Sequence, residues 1–162
     1  MAKADMFLKV DGAKQGPIKG ESSDSRHADE IEVSGWSWGM DNNGTAFGAA
    51  TARTSLQELI IRKRVDSAST GLMSALRGNE VIKKAVLSVH KAGGKAPVAF
   101  LTITLEKARI VSHRVGSAID DEPALTEELR IAFFKVQVEY RSQDGSGAGK
   151  GVNTFETEVQ TA

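Results

Sequence analysis

The stretch "EIEVSGWSWGM", residues 30–40, alternates apolar and polar side chains, as a half-buried β-strand does. The phase of this alternation changes in the middle. Ile31 and Val33 stand at odd positions, whereas Trp36 and Trp38 stand at even positions. A regular strand would therefore point the two pairs to opposite faces. The stretch predicts a strand that is interrupted once.

A β-bulge at Ser34–Gly35 would remove this conflict, because one extra residue returns both apolar pairs to a single face. Glycine is a common bulge residue. Glu32 and Ser37 would then share the opposite, polar face of the same strand. Aromatic residues at period two are usually packing residues, so we expect this stretch to be part of a wall.

The same change of phase recurs in residues 124–140, which we predict to form one long strand. Its apolar residues are odd up to Phe133 and even from Phe134 onward. Long strands that bulge or bend let a sheet curl or pass between two packed sheets. The predicted fold class is mainly β, a two-sheet β-barrel with one short helix on its side. The expected core residues are Trp36, Trp38, Leu101, Ile103, Val136 and Val138.

One clear helix is predicted within residues 66–80, because Leu72, Met73 and Leu76 would share one face of it. Ser69 or Thr70 is the expected N-cap, and Gly78 is expected to end the helix in a left-handed turn. Residues 41–55 and 142–151 lack a period and are expected to be loops. The "KAGGKA" segment predicts a hairpin connection. The other strands are predicted at residues 6–10 and 56–65, within 81–115, and at 152–160.

The composition narrows the class of protein. The chain has 162 residues, which fits a single domain over residues 1–162, and it has no cysteine for disulfides or thiolate metal sites. Lys plus Arg and Asp plus Glu both number 21, and this zero net charge argues against nucleic acid or an anionic membrane as main partner. No apolar run has signal-peptide or transmembrane length, so we expect a protein made in the cytoplasm.

No catalytic arrangement emerges from the sequence. The glycine-rich run "DGSGAGKG", residues 144–151, has Asp144 where a phosphate-binding loop needs glycine, and a strand pattern follows it. Adjacent acidic residues at 120–122 and 127–128 point in different directions, which indicates solvated surface and not a hydrolase pair. We predict no enzyme activity, cofactor or metal. Three histidines lie far apart in the sequence, without metal-ligand spacing, and are expected to be solvent-facing or structurally bonded: His27, His90 and His113.

Several motifs together resemble the Hcp family, the hemolysin-coregulated proteins of bacterial type VI secretion. The most specific are the N-terminal segments "DMFLKVDG", "KGESSDSRHADEIEV" and "WSWG", and the later "FFKVQVEY". The resemblance continues through "VDSASTGLMSAL", "VLSVHKAGG" and "LTITLEKARIVS", so it covers nearly the whole chain. Gly71 departs from the family, in which many members carry proline at the start of the helix.

The resemblance implies a β-barrel subunit that assembles into a homo-hexameric ring, with stacked rings forming a tube inside a contractile sheath. It implies export by that machine without a signal peptide, and sheath, spike and effector proteins as partners. It also implies that the channel holds and protects effector proteins and that Ser37 faces the channel and contacts this cargo. Glu32, which the bulge would place on the same polar face, is a second candidate cargo contact.

The loop over residues 41–55 is the candidate contact between rings, because loops project from the ends of a barrel. Its polar and flexible residues are Asp41, Asn42, Asn43, Gly44 and Arg53. Two other functions stay open at this point. The chain could be a monomeric β-barrel that binds a small ligand or glycan, or an effector enzyme built on the same scaffold with an additional domain. A native mass measurement distinguishes the ring from the monomer.

Overall fold

The structure, a computed structural model, describes residues 5–42, 54–91, 99–117, 125–143 and 149–159. Within these residues the fold is mainly β with one helix, and that helix is too short to cross a membrane. The helix α1 spans Ser69–Arg77. The strands are β1 (Met6–Gly12), β2 (Gly16–Pro17), β3 (Ile31–Glu32), β4 (Gly35–Ser37), β5 (Met40–Asn42), β6 (Thr54–Leu56), β7 (Leu59–Arg64), β8 (Ile82–Val89), β9 (Leu101–Ser117), β10 (Leu125–Gln143) and β11 (Gly149–Glu158).

One antiparallel sheet holds nine of these strands. Its order is β2-β1-β8-β9-β10-β7-β4, with β3 beside β1 and β11 beside β10. The helix adds Leu72 and Ala75 to the buried core that covers the apolar side of this sheet. Within the described residues the ladder does not close into a barrel, since β4 pairs only with β7 and β3 only with β1.

The predicted single strand over residues 30–40 is wrong. The chain forms three short strands there, of which β3 pairs with β1, whereas β4 pairs with β7 at the far end of the sheet order. The partner changes between two neighbouring residues: Val33 N donates to Met6 O (3.0 Å), and Ser34 N donates to Arg62 O (2.8 Å). The change of phase in the apolar pattern therefore marks a change of partner strand, not a bulge.

The start of α1 also differs from the prediction. The N-cap is Ala68, without a capping side-chain hydrogen bond, so neither Ser69 nor Thr70 caps the helix. Asp66 organises this end instead, because its Oδ1 accepts a hydrogen bond from Ala68 N (2.9 Å) and its own N donates to Ser69 Oγ (2.9 Å). The Ser69 hydroxyl does not cap the helix, and it also donates a hydrogen bond to the buried Glu127.

The end of α1 contradicts the expected left-handed glycine. Gly78 has a φ of −87°, and the left-handed residue is the next one, Asn79, with a φ of 53°. Asparagine enters this conformation several times more often than most residues with a side chain. The helix thus ends where expected, but through a different residue.

The long strand β10 shows the change of phase predicted for residues 124–140. The buried apolar side chains are odd before the change, at Leu129 and Ile131, and even after it, at Val136. The pairing with β9 is irregular where the phase changes, because the register passes from Phe133 and Ala108 to Lys135 and Glu106, and the intervening Lys107 has a left-handed φ of 49°. Such an irregularity increases the local twist, which lets one strand serve two parts of the core.

The expected loop over residues 41–55 contains regular structure. Strands β5 and β6 pair antiparallel in a two-stranded sheet that is separate from the main one, and we refer to it as the β5–β6 ribbon. The base of the ribbon is tied down, because Gln57 N donates to Gly39 O (2.9 Å) and Trp38 Nε1 donates to Gln57 O (2.8 Å).

Candidate functional site

Ser37 is exposed and lies on β4, at one end of the main sheet. Paired residues of neighbouring strands point to the same side, so the ladder identifies the residues beside it. Ser37 pairs with Ile60 on β7, which pairs with Arg130 on β10, which pairs with Ser112 on β9. We refer to the part of this side formed by this row and the next two rows, which continue through Arg62 and Arg64, as the Ser37 face. It lies on the side away from the buried Leu59, Ile61, Leu129 and Ile131.

Arginine dominates the Ser37 face. With Arg130 of the first row, the face carries four arginines and one glutamate. Arg62 Nε lies 3.3 Å and Arg130 Nε 3.8 Å from the carboxylate of Glu128, while the two arginine side chains stay 55% and 45% exposed. The face is therefore positively charged, although the whole chain has no net charge. The next rows are Gly35, Arg62, Glu128 and Arg114, and then Arg64, Thr126 and Gly116.

A pocket of about 520 Å³ opens beside these rows. Arg62 and Arg114 line it together with Glu128, and Ser34 and Thr126 add hydroxyl groups. Lys63 and Glu127 also border the pocket, but their opposite charges are paired with each other. Guanidinium groups match the fork of a carboxylate or phosphate, so the pocket is suited to an anionic group. Neither the arginine pattern nor this pocket was recognised from the sequence.

Glu32 does not share a strand face with Ser37. It is exposed on β3, where it pairs with Phe7 of β1. Strand β4, which carries Ser37, pairs with β7 instead. The prediction that the two residues share the polar face of one strand is wrong, because it assumed that residues 30–40 run along a single partner.

The predicted core residues divide into two groups. Ile103 and Val136 are buried. The other four are half-buried and pack against the core, and the ring of Trp38 lies 6.4 Å from that of Phe133, measured between centroids. In the single subunit these tryptophans thus lie at the margin of the core. The half-buried four are Trp36, Trp38, Leu101 and Val138.

Two of the predicted ring-contact residues lie on the β5–β6 ribbon. Asp41 and Asn42 are exposed, and Asp41 Oδ2 accepts a hydrogen bond from Gln57 Nε2. Met40, beside them, is 49% exposed. The ribbon therefore presents an apolar side chain as well as polar ones. The other three predicted residues lie outside the described residues: Asn43, Gly44 and Arg53.

A buried ionic cluster, which the sequence reading missed, joins three strands to the helix. Lys63 of β7 and Glu127 of β10 are opposite each other in the ladder, and both side chains are buried. Lys63 Nζ forms a salt bridge with Glu127 Oε1. His113 Nε2 donates to Glu127 Oε2 (2.6 Å), and Ser69 Oγ donates to Glu127 Oε1 (3.1 Å). Lys63 Nζ also contacts Asp66 (2.8 Å). We refer to these residues as the Lys63 cluster.

The cluster keeps its carboxylate ionised. Burial by itself raises the pKa of Glu127, but the hydrogen bonds from Lys63 and His113 outweigh burial and hold this pKa below its ordinary value. The sequence carried a signal for this pair. Lys63 has the odd parity of the apolar residues Leu59 and Ile61, and Glu127 has the odd parity of Leu129. One opposite charge on the apolar side of each of two strands indicates a buried ion pair.

His27 and His90 lie far apart in the sequence but are in direct contact in the structure, where both are structurally bonded. Their Nε2 atoms lie 2.7 Å apart, and the His27 ring stacks on Phe7 with 4.4 Å between centroids. Arg26 Nη1 lies 3.1 Å from His90 Nδ1, and His27 Nδ1 lies 3.1 Å from Glu30 Oε1. We refer to the two residues as the histidine pair.

The tautomers of the histidine pair follow from the arginine, because a guanidinium only donates. His90 Nδ1 must accept from Arg26, so the proton of neutral His90 is on Nε2 and is donated to His27. The proton of His27 is then on Nδ1 and is donated to Glu30. Burial, followed by the charge of Arg26, lowers the pKa of His90, which favours the neutral ring that this chain of bonds requires.

Neither the Lys63 cluster nor the histidine pair forms a metal site. Across the ranges that the structure describes, no group of three or more His, Asp or Glu side chains is arranged to hold a metal ion.

The predicted loop over residues 142–151 is shorter than expected, because β10 continues to Gln143 and β11 begins at Gly149. Residues 144–148 lie outside the described residues.

Comparison with known proteins points to one family. The family profile described as "Type VI secretion system effector, Hcp" matches residues 7–140. The protein hcp1 of Pseudomonas aeruginosa strain PAO1 is 37% identical over 150 residues, which cover 91% of this chain and 89% of that protein.

Solved structures agree with this match in fold. A type six secretion system protein superposes with a TM-score of 0.85 at 26% identity, over 96% of this chain and 95% of that one. Hcp1 from Salmonella typhimurium gives 0.76 at 29% identity, over 98% and 95%. A type VI secretion system effector from Yersinia pestis gives 0.75 at 28% identity, over 96% and 100%.

Proposed function

The chain belongs to the Hcp family of type VI secretion tube and effector proteins, and we propose that six copies of it close into a ring. Stacked rings would form a tube that is exported from the cytoplasm by the secretion machine, with sheath, spike and effector proteins as partners. In the ring the curved sheet closes into a barrel-like wall. The relatives do not favour a monomeric ligand- or glycan-binding module, and we propose no reaction for the chain.

The free edge of β11 is the observation that carries the ring. Among the described residues this ten-residue strand pairs only with β10. A long unpaired edge strand is a template for pairing with another chain. Phe155 on β11 is 43% exposed, and Tyr140, on the adjacent strand and the same side of the ladder, is 45% exposed. Val152, also 43% exposed, lies on the opposite side of β11. Apolar side chains grouped beside an open edge form a surface that a second copy would cover.

Replacing Phe155→Glu should convert the hexamer into monomers, because a charge would enter an apolar contact that the ring repeats at every subunit. Native mass spectrometry of the wild type and the variant measures this directly. Val111→Glu is the matched control, since Val111 is 47% exposed but lies on β9. The control should remain a hexamer. A wild-type protein that stays monomeric throughout the micromolar range would rule out the ring.

The β5–β6 ribbon is the proposed contact between stacked rings. It is a separate sheet whose base is hydrogen-bonded to Gln57, and Met40, Asp41 and Asn42 are exposed on it. A ring repeats each contact around its circumference, so a weak contact per subunit suffices for stacking. Asn43, Gly44 and Arg53 remain predicted members of this contact.

Replacing residues 43–50 by a short Gly-Ser link should spare the hexamer and abolish secretion, because rings that do not stack cannot be pushed out as a tube. Native mass of the purified protein and its amount in the culture medium of cells carrying the machine give the two readouts. Export at the wild-type level would show that the ribbon is not the stacking element.

Ser37 is the proposed cargo contact of the channel, because its small exposed side chain lies on an open sheet face. Glu32 remains a predicted cargo contact, but on a separate part of the surface, because it lies on β3.

A further inference from the structure

The Ser37 face differs in charge from the rest of the same side of the sheet. Beyond the change of phase in β10, that side carries a row of alternating charges across five strands. Lys135 in this row lies 3.7 Å from Glu106 and 2.6 Å from Glu156, so its charge is compensated where it stands. The row consists of Glu158, Lys135, Glu106, Lys84 and Asp11.

On the Ser37 face the positive charges are not compensated. Arg62 and Arg130 share the single carboxylate of Glu128. Arg64 and Arg114 have no ion-pair partner within the described ranges, and both are exposed. Four arginines against one glutamate leave a surplus of three positive charges on each subunit. The basic residues also differ in type: arginine on this face, and lysine in the compensated row.

We propose that the Ser37 face binds acidic protein segments and thereby selects acidic cargo, which rests on the proposed function in so far as Ser37 faces the channel. Arginine side chains bind carboxylates through two parallel hydrogen bonds, and they remain charged at every physiological pH. The pocket beside Arg62 and Arg114 provides a concave place for such a carboxylate. In a ring the surplus charge is repeated in every subunit, so the positive potentials add inside one channel.

An acidic protein fits this face better than a nucleic acid does. Single-stranded nucleic acid is usually held by aromatic side chains that stack on its bases, and the rows of the Ser37 face contain none. Glu128 lies in the middle of the arginines and would repel a continuous phosphate backbone. The row of Ser37, Ile60 and Ser112 adds small neutral contacts, which suit protein chains of varied sequence.

The test uses the full-length protein and a fluorescent peptide of alternating glutamate and glycine, with binding followed by anisotropy at low and high salt. The paired substitution Arg64→Gln/Arg114→Gln should weaken binding about tenfold, as expected for two exposed ion pairs. Lys84→Gln/Lys135→Gln, which removes two charges from the compensated row, is the matched control and should change binding little. Glu128→Gln should strengthen binding, because it frees Arg62 and Arg130.

Equal losses in the two paired variants would overturn the proposal, since binding would then depend on charge in general. Equally tight binding of an oligothymidylate would overturn it too and identify a phosphate-binding surface. Native mass is measured on the same samples. A ring that falls apart in Arg64→Gln/Arg114→Gln but not in the wild type would assign the face to subunit contact and not to cargo. Peptide binding by a wild-type monomer would support the acidic-segment surface and reject the ring.

Discussion

The Lys63 cluster and the histidine pair both bury polar side chains, but they stabilise the fold in opposite ways. In the Lys63 cluster, full charges of opposite sign meet, and hydrogen bonds from Ser69 and His113 complete the shell around Glu127. In the histidine pair, two neutral rings form a directed chain of hydrogen bonds and one of them stacks on Phe7. The first depends on ionisation, and the second depends on its absence.

The difference shows how the same residue type acquires two roles from its neighbours. His113 donates to the carboxylate of Glu127 and thereby helps to keep that carboxylate ionised. His90 accepts from a guanidinium, so its partner disfavours the charged ring. The two regions should therefore differ in how much free energy of unfolding is lost when one of their residues is replaced. They should also differ in the pH below which their contribution to stability is lost.

Lys63→Ala should produce the largest effect, a loss of about 3–5 kcal/mol in the free energy of unfolding, because Glu127 would remain buried without its main partner. Urea denaturation at neutral pH measures it. Lys83→Ala is the control, since Lys83 is exposed on β8, and such a change usually stays within about 0.5 kcal/mol. Equal losses in both variants would show that the buried pair contributes no more than a surface lysine.

His27→Ala should lower the free energy of unfolding by less, about 1–2 kcal/mol. The lost interactions are a ring stack on Phe7 and hydrogen bonds between uncharged rings. The same urea measurement applies. Ser25→Ala, an exposed position of the same segment, should have little effect. A loss as large as that of Lys63→Ala would mean that the histidine pair is not the weaker of the two regions.

The smallest effect is expected from mild acid. A histidine with a lowered pKa binds fewer protons in the folded protein, so the contribution of His90 is complete above its ordinary pKa of 6.5 and is lost as the pH falls below it. Asp5, Asp24, Arg26, His27 and Glu30 are the charged or titratable groups facing this region. The contribution of Glu127, whose pKa is also lowered, is complete above 4.5 and is lost only below that value.

Stability should therefore decline in two stages as the pH falls, and His90→Gln should remove the upper stage while leaving the lower one. Thermal melting between pH 7 and pH 3 would resolve the stages. An upper stage that persists in His90→Gln would assign it to another group.

The sequence by itself determined the class of the fold and the family. Alternation at period two identified the strands, the apolar spacing of Leu72 and Leu76 identified the helix, and the motifs around "WSWG" identified the relatives. It also located an interruption at Ser34–Gly35 and the change of phase at Phe133–Phe134. These features depend on residues close together in the chain, so local periodicity reports them.

Only the tertiary structure decided which strands are partners. Periodicity tells which side of a strand faces the core, but it contains no information about the strand across the ladder. For this reason the interruption near Gly35 was interpreted as a bulge, although the chain there leaves β1 for β7. The same limit hid the contact of Lys63 with Glu127, 64 residues away, and that of His27 with His90, 63 residues away. The four arginines of the Ser37 face come from three strands, and only their pairing places them on one surface.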